Sequence, residues 1–428
     1  MSTRNPVAAA ESRASRLRFV IILGALTALG PLSNDTYLPG LPDIARDLHT
    51  TASATQLSLT ACLVGLGVGQ LIAGPLSDAY GRRRPLMAGL VLYGVASVLC
   101  AVAPSIWLLV VLRLLQGIGG ATGIVVAAAV VRDRHTGAAA AKYFSMLLLV
   151  TGLAPVLAPV LGGQLLRWTS WRGIFVALTI AGAVLLVTAA VGLPETLPKS
   201  QRQRGGMGAM MPIFGRLLSD RAFVGYVLAV GFGFGAMFAY IAGSPFVLQV
   251  IHHFSPQQYS AVFAVNAFGL VIAAQVSGRI VHRFGPRRLL GVGVTGSFVG
   301  GLLVLASVVL GGGGLVPLLA GLFLVVASVG FIMPNSMALA LGKYGSVAGA
   351  AAAFVGLAQH LIGAAAAPFA GVAGAGDALP MAIVITILGV GAFLSFTMLT
   401  RGDRGQAPEA PPEPVLAEIV AAEVETTA

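Results

Sequence analysis

Gly74-Pro-Leu-Ser-Asp-Ala-Tyr-Gly-Arg-Arg-Arg84 is a charged knot between two long apolar runs, and a worn copy, Gly278-Arg-Ile-Val-His-Arg-Phe-Gly-Pro-Arg-Arg288, follows in the second half of the 428-residue chain. Both glycines and the last two arginines keep their offsets. A polar loop that recurs in this way, each time closing one hydrophobic segment and opening the next, points to a duplicated membrane bundle whose working parts lie between its halves.

Working outward, hydrophobic residues make up 57% of the chain and charged residues 10%, with a mean hydropathy of +0.90; a soluble domain carries about 25% charged residues. A spanning helix needs roughly 20 mostly apolar residues. Runs between charged or Pro/Gly-rich breaks predict twelve: Phe19–Leu41, Ser53–Leu76, Pro85–Ala103, Ile106–Val131, Tyr143–Leu166 and Gly173–Leu193, then Ala222–Leu248, Gln258–Val281, Arg288–Leu310, Leu315–Leu341, Ser346–Ala370 and Leu379–Leu399. The expected fold class is an all-α membrane protein with twelve transmembrane helices in two pseudo-symmetric six-helix halves. The expected organisation is a tail over 1–18, a half over 19–193, a polar linker over 194–221, a second half over 222–399 and an acidic, Pro/Glu-rich tail over 400–428. That tail cannot bury enough surface to order itself.

Lys and Arg accumulate on the cytoplasmic side of membrane proteins. With the N-terminus inside, only Arg46, Arg167 and Arg172 fall outside and Arg113 falls within a span, while the rest of the 26 basic residues lie in cytoplasmic segments. Both termini are therefore expected inside, and the net charge of +11 is topological. Basic residues scattered over short loops make no nucleic-acid face. The stretch Met1 to Arg18 leads into an apolar run too long for a signal peptide, so segment one is expected to be retained.

The extramembrane segments are too short for a nucleotide-binding domain, and no Gly-x-x-x-x-Gly-Lys-Ser/Thr sequence occurs, which excludes ATP as the driving force. With no metal-ligand cluster or nucleophile–base pair, neither an enzyme nor a cofactor is expected. Gly117-Ile-Gly-Gly-Ala-Thr-Gly123 lies inside an apolar helix and follows no strand, so it reads as a small-residue face for close packing, with Gly119 and Gly123 at the required spacing. Cys62 and Cys100 read as small buried hydrophobes.

A charged side chain in the hydrocarbon region costs about 2.5 to 3.5 kcal/mol on insertion scales, so each marks a functional candidate. There are two, Asp35 in segment one and Arg113 in segment four. Segment one runs outward and segment four inward, which puts both roughly 11 to 12 Å below the outer surface at 1.5 Å per residue. Asp35 then takes up and releases a proton under the influence of Arg113, or the two form a fixed ion pair that packs their helices, or Asp35 is simply hydrated near the interface. Asn34, Tyr37 and Gln116 neighbour these charges.

The knot itself reads as a hinge or latch at the cytoplasmic face. Gly74 and Gly81 allow a tight turn and close helix approach, Asp78 can sit against an arginine or a helix N-terminus, and Arg82, Arg83 and Arg84 hold the loop inside. The plainer alternative is a topology signal alone. Segment five carries Ala154-Pro-Val-Leu-Ala-Pro-Val-Leu-Gly-Gly163, in which Pro155 and Pro159 predict a bend and Gly162 and Gly163 tight packing where the halves meet. Tyr240-Ile-Ala-Gly-Ser-Pro-Phe246 sets an aromatic and a hydroxyl beside a kink, and Asn266 adds a polar group in segment eight. His360 reads as a packing histidine, and His252-His253 is too short a match for a metal site.

These residues resemble the major facilitator superfamily over nearly the whole transmembrane part. Gly74 to Arg84 is similar to its loop between helices two and three. Leu112-Arg-Leu-Leu-Gln-Gly117 resembles the drug/proton antiporter motif of helix four, which gives Arg113 the role of its essential arginine. Segment five is similar to the antiporter motif of helix five, with Ala154 and Ala158 in place of glycines. Asn34-Asp-Thr-Tyr-Leu-Pro-Gly-Leu-Pro42 and Tyr240 to Phe246 resemble the bicyclomycin-resistance and chloramphenicol-efflux branch. Related exporters carry a glutamate two turns before the aspartate, where Thr27 stands here. The resemblance implies a monomeric, proton-driven secondary transporter in the cell membrane that exports small, largely apolar compounds by alternating access. Its partners would be a small-molecule substrate, protons and the lipid bilayer. A proton-coupled importer or facilitator of a nutrient is the alternative, and a non-transporting receptor or scaffold a third.

Overall fold

The computed structural model describes residues 13–135, 137–202, 211–310, 314–344 and 348–402, and among these the chain is helical without a strand. In order the helices are α1 (Arg13–Asp35), α2 (Leu41–Asp47), α3 (Ala52–Tyr80), α4 (Arg83–Ala101), α5 (Ile106–Arg134), α6 (Gly137–Leu165), α7 (Trp171–Gly192), α8 (Met211–Ser219), α9 (Arg221–Phe246), α10 (Pro256–Phe284), α11 (Pro286–Val309), α12 (Leu315–Leu341), α13 (Ala348–Phe369) and α14 (Leu379–Leu394). Ten of the described helices are long and apolar enough to cross a membrane, and Gly152–Leu165 and Phe354–Phe369, within α6 and α13, are apolar helices too. With α2 and α8 set aside as short extras, the remainder match the twelve expected segments one for one. The expectation of an unordered tail falls on 403–428, outside the described residues, as do 1–12 and linker residues 203–210.

Local chemistry sets several helix ends. The Thr51 hydroxyl accepts from the Ala54 N–H at 3.1 Å, Ser255 and Gln258 form a reciprocal capping box, and Asp220 accepts from the Ala222 and Phe223 N–H groups. These oxygens satisfy donors that the first turns of α3, α10 and α9 would leave free. Gly81 (φ 89°, ψ 163°) closes α3 and Gly285 (φ 77°, ψ 152°) closes α10, both in a backbone region essentially confined to glycine. The two copies of the knot thus turn the chain the same way.

Packing repeats between the halves. α3 and α4 pack on α5, and α4 on α7; correspondingly, α10 and α11 pack on α12, and α11 on α14. α1 meets α5, α6 and α7 as α9 meets α12, α13 and α14. Two seams join the halves, α3 against α13 and α6 against α10, and these also exchange under the same pseudo-twofold relation. The outside of the bundle is apolar: Val176, Ile180, Val184, Val187 and Val191 form an exposed stripe along α7. Hydrocarbon is the solvent that such a stripe fits.

Candidate functional site

α1 does not continue unbroken to its expected end at Leu41. It stops at Asp35, and the chain turns through a 3-10 stretch, Leu38–Gly40, into α2. Pro39 accounts for the break, having no N–H to give the Asp35 carbonyl and a ring that crowds it. Asp35 is therefore the last residue of a helix, among carbonyls that the helix end leaves without intrahelical donors. Arg113, fully buried in α5, reaches that end: its Nη1 donates to the Ser33 carbonyl at 3.0 Å and to Gln116 Oε1. Its guanidinium lies 4.3 Å from the centre of the Tyr37 ring and 5.8 Å from that of Phe175. A buried cation without a counter-ion costs several kcal/mol; here carbonyl, amide and aromatic faces take the counter-ion's place.

Asp35 and Arg113 are within electrostatic range of one another but form no ion pair. The carboxylate accepts from Asn34 Nδ2 at 3.1 Å, while Arg113 Nε and Nη2 have no hydrogen-bond partner. The fixed ion pair is thus not made in this conformation, and at 6% exposure Asp35 is not a hydrated interfacial group either. Hydroxyls that spacing did not single out hold the cluster in place. Gln116 Nε2 donates to Ser97 Oγ at 2.7 Å, Tyr93 and Ser33 hydroxyls share a bond at 2.7 Å, and Tyr37 and Ser58 share one at 3.1 Å. α1, α3, α4 and α5 are tied together around one charge.

The second half contributes Tyr240 from α9 and Asn266 from α10, joined by an Asn266 Nδ2 to Tyr240 Oη bond of 2.9 Å, and the Tyr240 ring stacks on Phe263. The 3-10 stretch that follows Asp35 packs on both α9 and α10. Asn34, Asp35, Tyr37, Arg113, Gln116, Tyr240 and Asn266 thus come together although they were drawn from four segments.

Beside this cluster, one end of the bundle is sealed. Six cross-half hydrogen bonds lie there among the described residues: Ser53 to the Pro368 carbonyl, Gln56 to Ala242, Thr60 to Ala364, Gln249 to Pro39, Gln257 to Gly163 and Ser260 to Pro159, at 2.7 to 3.1 Å. In every one a side chain donates to a main-chain carbonyl. Pro159 and Gly163 of α6 serve as acceptors, and Gly162 lies so close to the Thr36 carbonyl that any side chain would overlap it. Farther along the same helices, a Cβ on Gly74, Gly152, Gly278 or Gly356 would meet nothing described within 4 Å, so Gly74 makes no close approach among the described residues in this conformation.

The knot lies at the other end of α3 from the cross-half bonds. Arg82, whose side chain is 8% exposed, donates through Nε to Asp133 at 2.9 Å, through Nη2 to the same carboxylate at 3.1 Å, through Nη1 to Ser77 at 3.0 Å, and to Asp78. Asp133 also accepts from Thr196, and Glu195 accepts from the backbone N–H groups of Arg82 and Arg83. Burial pushes the Glu195 carboxyl up, but the N–H groups of Leu197, Arg82 and Arg83 and the nearby Arg202 outweigh it and hold it below the usual range. Arg83 donates to the Ala190 carbonyl at 2.6 Å. The knot thus binds the ends of α3, α4, α5 and α7, all in one half. Asp133 and Glu195 are central to it and were not singled out from sequence; their signal was two acidic residues among the arginines of otherwise basic loops. His360 bonds its own helix at the Gly356 carbonyl, as a packing histidine does.

Comparison with known proteins follows this geometry. Residues 23–368 match the Major Facilitator Superfamily profile. An uncharacterized MFS-type transporter of Bacillus subtilis (strain 168), YdgK, is 39% identical over 393 residues, covering 91% of this chain and 97% of that protein. A bicyclomycin resistance protein homolog of Haemophilus influenzae is 28% identical over 346 residues, covering 81% of this chain and 87% of its own length. Among solved structures, a bacterial homolog of the human lysosomal transporter Spinster, in an inward-facing and occupied conformation, superposes with a TM-score of 0.75 at 14% identity over 94% of this chain and 100% of that one. The profile spans most of the chain and the superposition agrees in fold, so the chain belongs to the Major Facilitator Superfamily, a multi-pass membrane transporter family.

Proposed function

We propose that this chain is a proton-driven exporter of small, largely apolar compounds, working as a monomer by alternating access in the cell membrane. Asp35 is the coupling group and Arg113 its modulator. Asn34, Tyr37, Gln116, Tyr240 and Asn266 line the substrate path. Gly74, Asp78, Gly81, Arg82 and Arg83 belong to a cytoplasmic gate, and Pro155, Pro159, Gly162 and Gly163 shape the α6 seam on which the halves 19–193 and 222–399 rock. In this orientation both termini and the knot face the cytoplasm, and the sealed end faces outward.

The observation that carries the reading is a buried carboxylate at a helix break, within electrostatic range of a buried guanidinium but not locked to it. A carboxyl free of a permanent ion pair can lose and regain a proton as access alternates, and buried ionisable groups in membrane spans mark such relays. The Haemophilus influenzae relative, named for bicyclomycin resistance, supports export of a compound of that kind. Asp35→Asn is expected to abolish pH-gradient-driven accumulation of substrate in inverted vesicles, the direction that corresponds to export from the cell, while leaving expression intact. Full gradient-driven accumulation in that variant removes Asp35 from the mechanism, and gradient-driven movement out of inverted vesicles overturns export.

A further inference from the structure

Four buried polar atoms on helices around Asp35 and the sealed end have no hydrogen-bond partner among the described residues: Asn34 Oδ1 on α1, Gln56 Oε1 on α3, Ser244 Oγ on α9 and Tyr259 Oη on α10. Ser244 and Tyr259 are fully buried. Leaving a buried hydroxyl unpaired costs about 1 to 3 kcal/mol, and native structures avoid it unless the group has a task. Packing alone does not call for these hydroxyls. The Tyr259 ring leans on Phe263 at 6.1 Å, a contact that phenylalanine would make without the penalty.

Their positions are related. Ser244 lies within reach of the hydroxyls of both Tyr240 and Tyr259, with no contact short and straight enough to satisfy its Oγ. The 3-10 stretch Leu38–Gly40, which follows Asp35, packs on both α9 and α10, the helices that carry the two tyrosines. On the other side, Gln56 donates to the carbonyl of Ala242, two residues before Ser244, and so stands at the seal. Tyr240 is already engaged by Asn266, which leaves Ser244 and Tyr259 as the hydroxyls of this group without a completed bond.

We propose that the Ser244 and Tyr259 hydroxyls form the proton route between Asp35 and the sealed side, used when that seal opens. When Gln56 releases Ala242, water from that side reaches the pair. A hydronium proton bonds to a hydroxyl oxygen as that hydroxyl's own proton passes to the Asp35 carboxylate, directly or over one water. One proton arrives, one O–H bond forms and one breaks, and each hydroxyl ends unchanged except in orientation. This rests on the reading of Asp35 as the coupling group.

The test compares two modes of transport by the purified full chain in proteoliposomes, with radiolabelled bicyclomycin and ethidium as probes. Exchange of labelled for unlabelled probe at equal pH needs no net proton movement; gradient-driven transport does. Tyr259→Phe combined with Ser244→Ala is expected to slow gradient-driven transport roughly tenfold, below the hundredfold of a fully rate-limiting proton-transfer group, and to leave exchange within about twofold of wild type. Ser244→Thr, which keeps a hydroxyl, should retain gradient-driven rates where Ser244→Ala does not. Equal loss in both modes, loss in neither, or the same loss in Ser244→Thr as in Ser244→Ala overturns the route. Gradient-driven transport that survives Asp35→Asn, or a wild type that moves neither probe, overturns the underlying reading instead.

Discussion

The two copies of the knot share a backbone but not a chemistry. Gly81 and Gly285 turn the chain at nearly the same dihedral angles, and Arg83 and Arg287 play matching parts, each donating to a carbonyl near the end of the last helix of its half, Ala190 and Thr400. Arg82 has no such counterpart, for Pro286 stands at the equivalent place. The first copy is consequently clamped by Asp133, Asp78 and Glu195, whereas the second is held by the Tyr226 hydroxyl at 3.2 Å, the Thr400 carbonyl at 2.9 Å and the Phe396 ring beneath Arg287. A duplicated fold keeps the turn, because geometry requires it, and is free to vary the bonding around it.

The largest effect on this contrast is expected from Arg82→Ala. It strands the mostly buried Asp133 carboxylate, and breaking such a pair costs up to about 3 kcal/mol. Arg287→Ala removes bonds to neutral partners only and strands no charge, so it should cost less. Thermal unfolding of the purified variants measures both, and an equal drop in Tm would show that the two clamps do not differ. Next come the glycines. Gly81→Ala and Gly285→Ala each incur backbone strain of about 1 to 3 kcal/mol, but only at Gly81 does the added methyl meet Glu195 and Arg202. Gly81→Ala should therefore lower Tm further; matching values would mean that Glu195 yields without cost.

The smallest effect on stability is expected at the position that sequence made most prominent. Asp78 is 55% exposed and pairs with Arg82 one turn away, and exposed pairs of this spacing contribute about 0.3 to 0.5 kcal/mol. Asp78→Asn and His282→Asn should unfold within a degree or two of wild type. Transport should separate them, with Asp78→Asn several-fold slower and His282→Asn unchanged. Equal transport rates in the pair would reduce the Asp78 loop to a topology signal.

Hydrophobic run length and the repeat made the fold legible, since both are local properties of a chain in lipid: α12 begins and ends at Leu315 and Leu341 as expected. Arg113 and Asp35 were legible because a charge in an apolar run stands out on its own. Their mutual geometry was not. The break at Asp35 has a visible cause in Pro39, four residues on, but the same proline also fits a helix that simply ends near Leu41. Partners distant in sequence left still less trace. Asp133 and Glu195 lie 51 and 113 positions from Arg82, and no periodicity connects them. Ser97 and Ser58 look like ordinary small residues until α4 and α3 are packed against Arg113.

The sealed end has a consequence for how such a chain can change over generations. Each of its six cross-half bonds is accepted by a main-chain carbonyl, and no codon change can delete a carbonyl. Drift on the accepting surface alters shape but leaves the lone pairs in place, so only the six donors are exposed to loss by mutation. Water also replaces each donor one for one when the halves separate, so each bond is worth only about 1 kcal/mol net. Such a door, with three donors on each jamb, is tolerant of sequence variation at its acceptors and light enough to swing in both directions.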